Sequence, residues 1–106
     1  MKLLLCALLL SLSSLYAQED NKAWFPVRSE CYVEQGRIAY CRACNHNFRP
    51  IFCRGRIEGR TYYGSFLTAH GNQWVMPGQC MTGQVYAQNP IYDPLVYADA
   101  QVNCHQ

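Results

Sequence analysis

The cysteines set the tightest limit on what this chain can become. There are seven in 106 residues, and the first, Cys6, lies in an N-terminal segment laid out like a secretory signal. Lys2 supplies the charge, residues 3–12 the apolar stretch, and Ser13-Ser14-Leu15-Tyr16-Ala17 a cleavage region ending on a suitably small residue. The apolar run is too short to span a bilayer. Residues 1–17 therefore read as a signal peptide, and residues 18–106 as one secreted, cysteine-rich β domain. Its removal leaves Cys31, Cys41, Cys44, Cys53, Cys80 and Cys104. An even set in a short exported chain reads as three disulfides, with every pairing still open. A domain this small has a thin core, and each bridge typically adds about 2–4 kcal/mol.

Charge narrows the partners. Residues 18–106 hold one Lys and seven Arg against seven acidic residues, a formal charge near +1. All seven Arg fall within residues 28–60, whereas residues 61–106 hold two Asp and no Lys or Arg. A nucleic-acid binder is normally clearly basic, so no nucleic-acid partner is expected. The local arginine cluster can still steer an acidic partner. No second apolar stretch is long enough to cross a membrane, so the expectation is an extracellular monomer without a membrane span.

Four of the seven arginines sit in Arg49-Pro50-Ile51-Phe52-Cys53-Arg54-Gly55-Arg56-Ile57-Glu58-Gly59-Arg60, where β-branched and aromatic residues flank Glu58-Gly59. That pattern predicts a hairpin with Glu58-Gly59 as its two-residue turn, pairing Arg54 with Tyr63 and Ile51 with Phe66. A period of two then sorts the side chains. One face takes Ile51, Cys53, Ile57, Tyr62 and Phe66 as core, with Gly55 and Gly64 leaving room. The other takes Phe52, Arg54, Arg56, Thr61, Tyr63 and Ser65 as surface. Such a hairpin needs further strands behind it.

Candidates for those strands lie on both sides. Trp24-Phe25-Pro26-Val27 reads as extended. Cys31-Tyr32-Val33, a Glu34-Gln35-Gly36 turn and Arg37-Ile38-Ala39-Tyr40-Cys41 form a second hairpin. Cys44-Asn45-His46-Asn47 reads as a turn, and residues 68–73 as a loop. A short Trp74-Val75-Met76 strand stops at Pro77-Gly78. Residues 83–87, Leu95-Val96-Tyr97 and residues 100–104 are further strand segments. The best helical candidate is residues 94–102 behind Asp93 as N-cap. There is no Asn-x-Ser/Thr acceptor site. The fold class is mostly β: a small antiparallel, disulfide-stabilised sheet or sandwich.

Three chemical readings compete with plain structure. Cys41-Arg42-Ala43-Cys44 is a C-x-x-C, but Asn45 stands where haem attachment needs His. Exported thiols oxidise, and no second pair completes a zinc set. A redox dithiol would sit at a helix N-terminus. Two structural half-cystines with different partners are expected, and neither metal nor cofactor. His46 and His70 with nearby arginines are the inventory of a small secreted hydrolase or nuclease, yet both read as loop residues with no fixed geometry.

The aromatic content points elsewhere. Eight Tyr, two Trp and four Phe accompany the arginine cluster. Tyr, Trp and Arg anchor interfaces, because they offer large area at modest entropic cost. The expected binding set is Phe52, Arg54, Arg56 and Tyr63. The leading function is a non-enzymatic module that binds an extracellular protein or polysaccharide, as a toxin, inhibitor or other effector. The alternatives are a structural constituent of an extracellular matrix or coat, and the hydrolase using His46 and His70.

Overall fold

The computed structural model describes residues 23–106, so the signal peptide expected over residues 1–17 lies outside the described residues. The described chain runs β1 (Phe25–Val27), β2 (Ser29–Glu34), β3 (Ile38–Cys44), β4 (Ile51–Thr61), β5 (Phe66–Val75), β6 (Cys80–Tyr86) and β7 (Leu95–His105). All pairings are antiparallel, in one sheet ordered β1-β7-β4-β5 and another ordered β2-β3-β6. Only Arg28 separates β1 from β2, so the chain changes sheets at a single residue. The expected small antiparallel β domain is the fold observed, and it takes the sandwich form.

Alternation builds the core. β3 turns Ala39, Cys41 and Ala43 inward, and β4 turns Ile51, Cys53 and Ile57 toward them. Val75, Val85, Leu95, Val102 and Cys104 complete a core with few large side chains. The disulfides pair Cys31 with Cys41, Cys44 with Cys80 and Cys53 with Cys104. In each case the two residues stand directly opposite one another on neighbouring strands. The C-x-x-C cysteines therefore do bridge to different partners, as structural half-cystines. No bridge links one sheet to the other; packing holds the seam, with hydrogen bonds from the Ser29 hydroxyl to the Ala100 carbonyl and from Leu95 N–H to the Gly36 carbonyl, each at 2.8 Å.

The β2–β3 hairpin forms where expected. Gln35 and Gly36 both take positive φ, 53° and 68°, the left-handed conformation of a tight hairpin turn. The central hairpin does not turn where expected. Glu58-Gly59 lies inside β4, and the chain turns at residues 62–65, with Gly64 at φ 90°. Gly59 serves packing: a Cβ there would stand 2.9 Å from Leu95 Cδ2 and 3.1 Å from Val85 Cγ2. Extending β4 to Thr61 moves every cross-strand partner. Arg54 pairs with Asn72 rather than Tyr63, and Ile51 with Val75 rather than Phe66. Phe66 and Tyr62, expected in the core, are exposed, while Thr61, expected outside, is buried.

Two further expectations change. Residues 68–73 continue β5 instead of looping, because ten residues pair in register with β4. Residues 94–102 form no helix. Both C-terminal segments join in β7, whose register against β4 shifts once, at the Arg60/Thr61 step. Asp93 does not cap a helix. Its Oδ2 accepts from the Thr61 hydroxyl and its Oδ1 from the Tyr63 amide, each at 2.8 Å, which pins the β4–β5 turn. At the opposite end Asn45 is buried and fully bonded. Its amide donates to the carbonyls of Arg49 and Val75, and its Oδ1 accepts from Asn47 N–H. The loop at residues 45–50 is thereby tied to the end of β5.

Candidate functional site

The sheet register assembles a site on the outer face of the four-stranded sheet. Phe52 on β4 stands opposite His105 on β7 and Trp74 on β5. Trp24, just before β1, meets His105 from the other side. Ring centroids step across the strands at 4.5 Å (Trp24–His105), 5.6 Å (His105–Phe52) and 5.4 Å (Phe52–Trp74). The spacings and tilted geometries are those of favourable aromatic pairs. His105 is buried inside the row, whereas Trp74 keeps 54% of its surface exposed.

Polar rows follow along the same face. Two residues further down each strand, Arg54 lies between Asn103 and Asn72. The next row sets Arg56 between Gln101 and His70, and the one after sets Glu58 between Asp99 and Thr68. A last row, Tyr97, Arg60 and Phe66, is aromatic again, with the Arg60 guanidinium 4.7 Å from the Phe66 ring centre. Trp24 and the residues of the first two polar rows border an open cleft of about 580 Å³. That volume falls within the roughly 300–1,000 Å³ of ligand sites.

The two cleft arginines differ in their partners. Arg56 holds Glu58 at 2.7 Å. The Arg54 guanidinium lies over Trp24, 4.0 Å from the ring centre. Among the described residues the ion pairs are Arg56–Glu58 and Arg42–Glu30, so Arg54 is steered by an aromatic face and has no carboxylate partner.

Three of the four expected binding residues, Phe52, Arg54 and Arg56, share this face. Tyr63 does not belong to it: it lies in the β4–β5 turn, stacked edge-on against Tyr62 at 5.2 Å. Sequence reasoning missed Trp24, Trp74, His105, Asn72, Asn103 and Gln101. Trp74 and Asn72 would have followed from a correct β4–β5 turn, but Trp24 and His105 come from opposite ends of the domain. Phe48, fully exposed in the loop at residues 45–50, was also missed.

The two candidate acid–base histidines are not brought together. His46 is next to Asn45, whose side chain is bonded to Val75 at one end of β5. His70 is a strand residue rather than a loop residue, five positions up β5 and opposite Arg56. Five strand residues span about 17 Å. No group of His, Cys, Asp and Glu suited to a metal occurs among the described residues.

The second sheet carries a tyrosine face. Tyr32 stacks on Tyr40 at 5.2 Å, and the Tyr86 hydroxyl donates to Gln84 Oε1 at 2.6 Å. Desolvation, and then the Glu34 carboxylate, raise the pKa of the Tyr40 phenol above the ordinary tyrosine value. In comparisons with known proteins, the chain matches no family model, no curated protein and no solved structure.

Proposed function

We propose that this chain is a secreted, monomeric binding module that docks on an extracellular polysaccharide and performs no catalysis itself. The observation that carries this reading is the aromatic row Trp24–His105–Phe52–Trp74 lying beside rows of guanidinium and amide side chains. A sugar ring has an apolar C–H face and a hydroxyl rim. Trp74 offers a platform for the first, and Arg54, Asn72, Asn103 and Gln101 offer donors and acceptors for the second. Three disulfides in so small a domain support an oxidising, extracellular setting. The separation of His46 from His70 weighs against a paired acid and base, which must both reach one reacting group.

Co-sedimentation with insoluble polysaccharides tests the proposal. Binding should saturate, and Trp74→Ala should weaken it at least about tenfold, since exposed Trp anchors dominate such contacts. Unchanged far-UV dichroism would show the variant folded. Binding that ignores Trp74 would reject this face.

One observation favours the matrix or coat reading. β5 is an edge strand of ten residues, Phe-Leu-Thr-Ala-His-Gly-Asn-Gln-Trp-Val, without a Lys, Arg, Asp, Glu or Pro. Natural edges usually carry such residues to prevent strand addition. Assembly that grows with protein concentration would support that reading over a monomeric module.

A further inference from the structure

We infer that the polysaccharide is acidic, and that the Arg54 guanidinium, flanked by Asn72 and Asn103, seats one carboxylate or sulfate group of it. This rests on the polysaccharide reading above and adds the ligand's charge. A solvated arginine among acidic neighbours forms an ion pair with them, as Arg56 does with Glu58 at 2.7 Å. Arg54 is different. It lies over Trp24 at 4.0 Å, and the residues opposite it on both neighbouring strands are amides. An amide has N–H groups to offer an anion and brings no charge to compete with it. The guanidinium fork matches a planar carboxylate or a sulfate edge in two parallel bonds. The amides on either side can each add one.

The neighbouring row gives the rest of the sugar a place. Trp74 is two residues from Asn72 on β5, so the exposed indole and the anion seat are about 7 Å apart along the strand. A ring stacked on Trp74 would therefore direct an exocyclic acid group toward Asn72 and Arg54. A polyphosphate backbone fits less well. Nucleic-acid surfaces neutralise many phosphates at once, and on this face Arg54 and Arg60, three rows apart, are the arginines without a carboxylate partner among the described residues, while Glu58 already holds Arg56.

The test uses the secreted protein with four soluble polymers: polygalacturonate, dextran sulfate, neutral dextran and single-stranded poly-dT. Affinities are read by calorimetry at low and raised salt. The expected result is tight binding to one or both acidic polysaccharides, with the tighter one identifying carboxylate or sulfate, and weak binding to dextran. Arg54→Gln should lower acidic-polymer affinity about 10- to 100-fold, the share of a hydrogen bond to a charged group. Arg54→Lys should keep the salt dependence but not the full affinity, and Arg42→Gln, on the other sheet, should change nothing. Equal binding of acidic and neutral polymers, indifferent to Arg54 but sensitive to Trp74, would overturn this inference and leave the polysaccharide reading standing. No binding to any polysaccharide would overturn both. Poly-dT binding as tightly as the acidic polysaccharides would also overturn the inference, because the face would then read charge alone.

Discussion

At the scale of single residues, two glycines with positive φ separate backbone strain from steric crowding. Gly36 sits at φ 68° with Pro94 Cβ only 2.7 Å from where its own Cβ would stand, and its carbonyl accepts from Leu95 N–H. The ring of Pro94 cannot swing aside. Gly64 sits at φ 90° with nothing within 4 Å. Alanine at Gly64 should cost about 1–2 kcal/mol, the backbone share of left-handed geometry. Alanine at Gly36 adds overpacking and should cost about 3 kcal/mol or more. Urea unfolding of the two variants compares them directly, and equal losses would mean that Pro94 yields. Tyr40 gives a pH test at the same scale. A phenol whose pKa is raised in the folded state favours folding while neutral and loses that advantage as pH climbs through the folded value. The contribution of Tyr40 to stability should therefore hold level up to about pH 10 and decline above it. Spectrophotometric titration should show a tyrosine step above the ordinary range that Tyr40→Phe removes.

At the scale of elements, β4 decides most of the site. Its inward positions enter the core and its outward positions, Phe52, Arg54, Arg56 and Glu58, line the face. The partner strand matters as much, because moving the turn from Glu58-Gly59 to residues 62–65 replaces Tyr63 with Asn72 beside Arg54. Stability should report that register. Ile51 is 1% exposed and pairs with Val75, so Ile51→Ala should cost about 2–5 kcal/mol. Phe66 is 63% exposed and opposite Arg60, so Phe66→Ala should cost less than about 1 kcal/mol. With the turn at Glu58-Gly59 the two residues would face one another in the core and the two losses would be comparable. Denaturant midpoints of the pair distinguish the registers.

For the whole molecule, the bridges staple within sheets and leave the seam to packing and a few hydrogen bonds. Two of them, Cys31–Cys41 and Cys53–Cys104, place their sulfurs on the inner side of the sandwich, while Cys44–Cys80 lies on the outer side of the three-stranded sheet. Loop closure ranks their effect on the unfolded chain. The Cys53–Cys104 bridge spans 51 residues and Cys31–Cys41 only 10. Replacing both cysteines by Ala should cost about 4 kcal/mol for the first and about 3 kcal/mol for the second. The first joins the two strands at the centre of the four-stranded sheet, so its loss should also loosen the aromatic row one residue away. Thermal unfolding of the two double variants, followed by near-UV dichroism from the Trp residues, measures both effects.

The properties legible in the chain alone are those that live within a strand or a few residues. The period of two in residues 51–57 sorted Ile51, Cys53 and Ile57 from Phe52, Arg54 and Arg56, because side-chain alternation is local geometry. Gln35-Gly36 announced its turn through the conformations those residues tolerate. The even cysteine set announced three bridges. Long-range packing selected which glycine turned the chain. A glycine suits both a turn and a close approach, and contacts with Leu95 and Val85 from distant strands made Gly59 the latter. Only the tertiary structure chose among the cysteine pairings, because each bridge needs two residues opposite one another in a register that spacing does not encode. The aromatic row was hidden for the same reason. Trp24, Phe52, Trp74 and His105 are scattered over the length of the domain, and they become neighbours only when four strands pair in one sheet.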